Sequence, residues 1–285
     1  MNAASRLFSI FKLRIGMVIT LSALAGLAVA PGPAPTAWQV LVLACAVLVS
    51  AASSGAFNQY YERDLDARMS RTRDRPFVTG AARPGAAWLV VIWGLLGLSV
   101  LAAALAINLW VALYIFLGSF TYAVIYTVWL KRRTWLNIVF GGFSGSFAVL
   151  AGAAVMGPEP AGAPLALAVA LFFWTPPHFW SLAAALKVDY QAAGVPMLPV
   201  VVGPERAGRI ILASTVLLVT VSLVPVLFGL GAIYLIGTVA GGAYFLWRSV
   251  ELARDPTPRR AMVNFFASLV QLSLMLAAAM LDGWL

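Results

Sequence analysis

Long apolar runs separated by short polar stretches make up most of this chain. A run of about 20 apolar residues, wound as an α-helix, is long enough to cross the hydrocarbon core of a membrane. The pattern predicts an all-α, polytopic membrane protein with nine transmembrane helices around a central cavity, forming one domain over residues 1–285. The predicted spans are about 14–30, 38–60, 88–107, 109–129, 135–156, 164–186, 209–229, 231–248 and 262–281.

The basic residues fall on alternate connections between these spans. All 19 Lys and Arg lie before span one or close to the connections that follow spans two, four, six and eight. The other connections contain none: about 31–37, near Asn108, 157–163 and near Gly231. Because cytoplasmic segments are enriched in Lys and Arg, we expect a cytoplasmic N-terminus and a C-terminus outside.

Charge and composition narrow the partners and the compartment. The net charge of +9 is distributed along membrane edges, so topology explains it and no nucleic-acid partner is expected. The single Cys45 lies in span two, which excludes a disulfide framework or a thiolate metal site. Pro31 disfavours cleavage after Ala30, and no Arg- and Ser-rich transit peptide precedes span one. We therefore expect a bacterial cytoplasmic membrane, with lipid as the surrounding partner.

A dense polar cluster, NQYYERDLDARMSRTRDRP at 58–76, follows span two. Asn58, Glu62 and Asp66 recur at i, i+4 and i+8, so they share one face of a continuing helix. No basic residue lies four positions further along that face to compensate them. Hard oxygen ligands of this kind suit Mg²⁺, with Mn²⁺ as an alternative. The sequence predicts a metal site here, and a solvated helix end is the alternative.

The arginines that follow are suited to a polyanion such as a diphosphate. They are Arg68, Arg71, Arg73 and Arg75. Metal and diphosphate together at a lipid surface suggest chemistry on a prenyl diphosphate. Asp64 points away from the predicted metal-binding face and can pair with Arg68 at i+4, so it is interpreted as a solvated partner.

The second cluster, WTPPHFW, spans 174–180. Pro176 and Pro177 fall within span six, where we expect them to kink or locally unwind the helix. His178 is the only histidine, and an ionisable group at membrane depth indicates function. The alternative is a neutral His178 bonded to a backbone carbonyl that the prolines free. Asp189 follows eleven residues later, nearly in line with His178.

Two long cytoplasmic connections, 61–87 and 187–208, are expected to cap the cavity together. Between spans four and five, Lys131 and Arg132 serve as a topological anchor, as a phosphate-binding pair, or as both. Tyr126 precedes them and is compatible with an interfacial aromatic belt.

These motifs resemble those of the protoheme IX farnesyltransferases, the haem O synthases among the intramembrane UbiA-type prenyltransferases. The first acidic motif is shared by all UbiA-type enzymes, whereas WTPPHFW and GVPMLP are specific to the haem branch. The resemblance covers most of residues 55–202. The matching runs are Asn58-x3-Glu62-x-Asp64-x-Asp66, Met69-x-Arg71-Thr72-x-x-Arg75-Pro76, Tyr126 to Asn137, Trp174 to Trp180 and Asp189 to Pro199.

The resemblance implies transfer of a farnesyl group from farnesyl diphosphate to a vinyl group of haem b, with addition of water, giving haem O. Haem b is then a substrate, not a cofactor, and haem A synthase or oxidase-assembly proteins are possible partners. By the same likeness Mg²⁺ is held by Asn58, Glu62, Asp66 and Asp189. Substrate contacts are implied for Arg71, Arg75, Lys131, Arg132, Lys187 and Tyr126, and His178 is implied to face the haem.

Three positions depart from the family's pattern. Glu62 replaces the usual Asp, Val188 replaces a second acidic residue, and Lys12-Leu13-Arg14 replaces Lys-Pro-Arg. A prenyltransferase for a quinone precursor or another aromatic acceptor is the alternative enzyme, and WTPPHFW favours haem over it. A haem transporter or chaperone would place ionisable groups at depth on several spans, whereas here only His178 is expected that deep.

Overall fold

The computed structural model describes residues 3–158 and 161–284, and all of its regular elements in these ranges are helical. The predicted all-α class is confirmed. Glu159 and Pro160, in the predicted outer connection 157–163, lie outside the described residues. The N-terminal half contains α1 (Ala3–Ile10), α2 (Leu13–Ala28), α3 (Ala37–Tyr61), α4 (Arg63–Asp66), α5 (Pro76–Thr79), α6 (Ala86–Ala106), α7 (Leu109–Phe120), a π-helix (Thr121–Leu130), α8 (Asn137–Gly141) and α9 (Phe143–Ala153). The C-terminal half contains α10 (Ala163–Ala185), α11 (Lys187–Ala192), α12 (Leu198–Val202), α13 (Pro204–Val221), a 3₁₀ turn (Val224–Phe228), α14 (Ala232–Arg254) and α15 (Pro258–Gly283).

Many of these helices are long and apolar enough to cross a membrane. Among the described residues six pass this test, and α1 with α2, bent by 55°, makes a seventh if the pair is one broken span. The pair α8 and α9 is apolar but shorter than a full span. Every predicted span coincides with helical residues, but the count of nine is not confirmed. Large apolar side chains on the outside, such as Leu105 and Leu109, are suited to lipid.

Polar residues in the connections determine where several helices begin. Thr36 accepts a hydrogen bond from the backbone of Gln39, whose side chain accepts one from the Thr36 backbone, forming a capping box before α3. Asn108 accepts from two backbone amides at the start of α7, and Thr257 accepts from one at the start of α15.

The helices pack into a closed arrangement. In chain order α2 packs on α3, α3 on α6, α6 on α7, α7 on α9, α9 on α10, α10 on α13, α13 on α14 and α14 on α15, which returns to α2. The crossing of α2 and α9 depends on glycine, since an added Cβ at Gly26 would overlap the Val149 carbonyl, and one at Gly152 would overlap the Ala23 carbonyl. Small residues at such crossings let two backbones approach closely.

The helix α10 runs unbroken through Pro176 and Pro177. The predicted local unwinding is therefore wrong, whereas a kink at these prolines stays a prediction. Each proline removes one backbone donor, but close packing of α10 against α9, α13 and α15 supports the helix around the missing bonds. Ser181 Oγ also donates to the Pro177 carbonyl at 2.5 Å, inside the bundle.

The two long connections contact each other, as predicted. Leu65 and Met69 from the first share one buried apolar cluster with Tyr190, Val195 and Met197 from the second. This contact covers one end of the bundle and brings polar residues of both connections to the same region.

Candidate active site

The first acidic motif keeps its three members on one helical face. The bonds from Glu62 N to Asn58 O, 2.9 Å, and from Asp66 N to Glu62 O, 2.8 Å, continue the helical pattern from α3 into α4. Asn58, Glu62 and Asp66 are only 2%, 1% and 3% exposed. The predicted face exists, and it points into the protein.

Both carboxylates on this face have basic partners. Lys131 Nζ donates to Glu62 Oε2 at 2.5 Å, and Arg75 donates to Asp66 Oδ2 at 2.7 Å. The expectation of an uncompensated stripe is therefore wrong. The partners come from other segments of the chain, whereas helical spacing relates only positions within one helix. Glu62 keeps the pKa of Lys131 above its usual value, although burial acts in the opposite direction.

Lys12 belongs to the site, which the sequence did not indicate beyond the departure at positions 12–14. Its Nζ donates to Asn58 Oδ1 at 2.6 Å and to the Tyr122 hydroxyl at 3.2 Å. Asn58 Nδ2 in turn donates to Thr127 at 2.9 Å. Lys12 lies between α1 and α2 with φ of 48°, in the left-handed region. An uncommon backbone conformation in a polar cluster is typical of functional sites.

A π-helix forms one wall of the site. Over Thr121–Leu130 the wider turns place Tyr122 and Tyr126 in a stack with ring centroids 5.6 Å apart. Lys131 follows directly, with its ammonium 5.5 Å from the centre of the Tyr126 ring. Helices of this type recur at functional sites. The predicted substrate residues Tyr126 and Lys131 are thus adjacent to the carboxylate face.

The donor set is chemically suited to a hard divalent cation. Besides the paired oxygens, the buried Glu62 Oε1 has no hydrogen-bond partner, which leaves a carboxylate oxygen available. Within 3–158 and 161–284 there is, however, no group of three or more acidic, His or Cys side chains positioned as a metal site. Asn58, Glu62 and Asp66 lie together, and the fourth predicted ligand, Asp189, is bonded elsewhere.

Asp189 joins the two long connections, 61–87 and 187–208. Its carboxylate accepts from Ser70 Oγ at 2.8 and 3.0 Å and from the Arg71 backbone at 3.4 Å. Burial acts to raise the pKa of Asp189, but these hydrogen bonds outweigh it and hold the pKa below its usual value. Val188, at the position of the family's second acidic residue, is 79% exposed and supplies no ligand.

The remaining predicted cations are at the surface or half-buried. Arg132 binds Asp64 through two hydrogen bonds of 2.8 Å, which lower the pKa of that carboxyl. Asp64 is a solvated ion-pair partner, as interpreted, but the expected pairing with Arg68 is wrong. Arg71 is exposed, and Lys187 is half-buried at the start of α11.

His178 lies apart from the carboxylates, inside the bundle. Its Nδ1 is 2.6 Å from Ser268 Oγ on α15. The alternative that a backbone carbonyl satisfies it is wrong, since the partner is a hydroxyl. Trp174 and Phe265 stack on the imidazole, with centroids 4.0 and 4.6 Å away.

A cavity extends from the polar cluster into the bundle. Its volume is about 550 Å³ when the part open to the surroundings is included. Lys12 and Tyr122 line it near the cluster, and Ile19, Val47 and Tyr114 line it two helical turns further along α2, α3 and α7. The arrangement combines a charged head region with an apolar compartment, as a substrate with an anionic head and a hydrocarbon tail requires.

Comparison with known proteins agrees with this arrangement. A model of the UbiA prenyltransferase family matches residues 19–271, so the chain belongs to that family. Solved structures of other proteins share the fold at low sequence identity. A digeranylgeranylglyceryl phosphate synthase structure has a TM-score of 0.79 at 16% identity and covers 100% of this chain and 99% of that one. A UbiA homologue from Archaeoglobus fulgidus, bound to DMAPP and Mg²⁺, has a TM-score of 0.72 at 18% identity and covers 96% and 99%.

Curated relatives specify the branch of the family. Protoheme IX farnesyltransferase 2 of Paramagnetospirillum magneticum is 55% identical over 97% of this chain and 96% of its own length. Protoheme IX farnesyltransferase 1 of the same organism is 47% identical over 96% of both. A protoheme IX farnesyltransferase of Xylella fastidiosa is 39% identical over 96% of this chain and 93% of its own. The resemblance seen in the motifs is confirmed.

Proposed function

We propose that this chain transfers the farnesyl group of farnesyl diphosphate to a vinyl group of haem b, giving haem O. The observation that carries the proposal is a cluster at the mouth of an apolar cavity, in which half-buried Lys12, Arg75 and Lys131 surround the buried face of Asn58, Glu62 and Asp66. Its three cations outnumber its two carboxylates, which favours an anionic ligand. The relatives' shared name supplies the acceptor.

The reaction begins with cleavage of the bond between C1 of the farnesyl group and the diphosphate oxygen. Negative charge develops on the leaving diphosphate, and Arg75 and Lys131 lie where they can stabilise it. The apolar cavity excludes water from the allylic cation. The vinyl group then forms the new carbon–carbon bond, and water captures the resulting haem-side cation and releases a proton, leaving a hydroxyethylfarnesyl side chain.

Mg²⁺ is the proposed divalent cofactor, with Mn²⁺ as a possible substitute. Asn58, Glu62, Asp66 and Asp189 would hold it, and the free oxygen of Glu62 supports this assignment. When bound, the cation supplies Lewis-acid stabilisation of the departing diphosphate. One homologue with this fold has a solved structure with DMAPP and Mg²⁺.

The proposed setting is a bacterial cytoplasmic membrane, with the polar cluster on the cytoplasmic side and residues 1–285 acting as one domain. The partition of all 19 basic residues among alternate connections supports this orientation. Farnesyl diphosphate and haem b both carry large apolar parts, so both can reach the cavity from the bilayer.

Product identification by mass spectrometry tests the function. Purified protein is incubated with farnesyl diphosphate, Mg²⁺ and equal concentrations of haem b and an aromatic-acid quinone precursor. We expect hydroxyethylfarnesyl haem and no prenylated aromatic acid, and we expect excess EDTA to abolish the product. Prenylation of the aromatic acid alone would support the quinone alternative, and haem binding without product would support a carrier.

A further inference from the structure

The imidazole of His178 is accessible only at its edge. Trp174 stacks on it with an interplanar angle of 21°, and Phe265 stacks at 29°. Two rings with centroids 4.0 and 4.6 Å away cannot share one face, so each covers a different face. Phe179 is perpendicular to the imidazole, with centroids 5.0 Å apart, and meets its edge. Any further partner of His178 must also approach in the ring plane, where the two nitrogens lie.

Ser268 determines whether Nδ1 of His178 carries a proton. Its Oγ lies 2.6 Å from His178 Nδ1 and also 2.6 Å from the Phe265 carbonyl oxygen. A serine hydroxyl has a single proton to donate, and a carbonyl oxygen can only accept. The Ser268 proton is therefore committed to Phe265, and Nδ1 of His178 must be the donor to Ser268.

Ser268 also holds the indole ring of Trp174 beside His178. Its backbone carbonyl accepts from the Trp174 indole nitrogen at 2.9 Å. Ser268 is 0% exposed and His178 is 6% exposed, so bulk water does not compete for these bonds. One residue of α15 thus fixes both the orientation of the stack and the protonated nitrogen of the imidazole.

We propose that Ser268 is a positioning residue that holds neutral His178 in the Nδ1–H tautomer, so that Nε2 presents its lone pair to the iron of haem b as an axial ligand. Iron ligation by Nε2 rests on the function proposed above, whereas the tautomer does not. A neutral imidazole that donates from Nδ1 has its free electron pair on Nε2. Iron-binding and zinc-binding histidines commonly donate the other ring N–H to a neighbouring acceptor, which fixes their orientation.

The tautomer can be read directly because the chain contains one histidine. Protein labelled with ring-¹⁵N histidine, purified through a tag without histidine, gives the NMR signals of His178 alone. Without substrates we expect the proton on Nδ1 in the wild type. In Ser268→Ala we expect the Nε2–H form to become at least equally populated. A wild-type signal from Nε2–H, or an unchanged Nδ1–H signal in Ser268→Ala, would overturn the proposal.

Titration with ferric haem b, followed by its visible absorption, tests the iron contact. We expect Ser268→Ala to weaken haem affinity by roughly tenfold and to shift the Soret band, with unchanged affinity for farnesyl diphosphate. Ser268→Thr, which keeps the hydroxyl, should restore both. The control Ser249→Ala removes another fully buried hydroxyl, which bonds Thr215 and Asn264, and should change neither.

The two measurements separate the parts of the proposal. A changed tautomer with unchanged haem affinity and spectrum would overturn iron ligation by Nε2 while leaving the role of Ser268 intact. Failure of the wild type to bind haem b would overturn the proposed function and iron ligation together. The NMR measurement of the tautomer uses no haem, so its result does not depend on the proposed function or on iron ligation.

Discussion

Glu62 and Asp66 are buried carboxylates whose stability depends on cations from other segments. Removing such an ion from water costs several kcal/mol, and a good partner is needed to offset that cost. Lys131 and Arg75 provide it. When a diphosphate and a divalent cation bind, we expect the basic side chains to turn to the phosphate and the carboxylates to the metal. The site then exchanges partners and leaves no buried charge unpaired.

Two neighbouring basic residues should respond very differently to loss of charge. Lys131→Met leaves the buried Glu62 without its cation, so we expect loss of nearly all turnover and a destabilisation of about 3 kcal/mol. Arg132→Met breaks a pair whose side chains are 37% and 50% exposed, and should cost less than about 1 kcal/mol. Turnover and the thermal unfolding midpoint in detergent measure both effects. Equal losses in the two variants would contradict the distinction between buried and solvated pairs.

Sequence reasoning at this scale succeeded where the interaction is local. The i, i+4, i+8 spacing placed Asn58, Glu62 and Asp66 on one face because the helix continues from α3 into α4. The partners Lys12 and Lys131 lie 46 and 69 residues from the side chains they contact. Helical periodicity contains no information about which distant segment will pack there, so these contacts could not be predicted.

At the scale of elements, the crossing of α2 and α9 depends on glycine. We expect Gly152→Ala to prevent correct assembly, because its Cβ would overlap the Ala23 carbonyl and neither backbone can move without separating the helices. Gly145→Ala on the same helix is the control. Its Cβ would meet only Leu171 at an ordinary 3.9 Å, so folding should be unchanged or slightly favoured. The yield of monodisperse protein and the thermal unfolding midpoint are measured for both variants. Equal values would contradict the close crossing of α2 and α9.

The junction between the two long connections depends on an ionised Asp189. Its lowered pKa means that the contact contributes stability above the ordinary carboxyl pKa and loses it as the pH falls through the lowered value. We expect Ser70→Ala to speed amide hydrogen exchange in 187–203 near neutral pH, with no change in the transmembrane helices. Thr79→Ala, which loses a hydroxyl bonded only within the first connection, should leave that exchange unchanged. Equal protection in both variants would contradict the role of the junction.

For the whole molecule, the alternation of apolar runs and basic connections was sufficient to predict the all-α class. It was insufficient to count spans, because apolar helices such as α8 and α9 are shorter than a full span and α1 is bent against α2. The unbroken α10 shows a similar limit. Proline chemistry predicted a kink or local unwinding. The helix does not unwind, because packing against neighbouring helices, which the sequence does not display, supports it.

Cysteine labelling tests the proposed orientation of the molecule. In a Cys45→Ala background, a cysteine replacing the exposed Ala34 should react with a membrane-impermeant reagent from outside intact cells. A cysteine replacing the exposed Arg73 should react only after permeabilisation, because moving Lys or Arg through the membrane centre costs roughly 2.5–3.5 kcal/mol per residue. The opposite pattern would invert the topology and place the polar cluster outside.

The most direct test of the central claim compares haem O formation by the wild type and Asp66→Asn under identical conditions. Asparagine keeps an acceptor for Arg75 but removes the negative charge, so the variant should fold, and its thermal unfolding midpoint verifies this. With farnesyl diphosphate, haem b and Mg²⁺ we expect haem O from the wild type and at least a hundredfold lower rate from Asp66→Asn, a loss of roughly 2.7 kcal/mol of transition-state stabilisation. Full turnover by a folded Asp66→Asn variant would contradict the assignment of the buried carboxylate cluster as the site of farnesyl transfer.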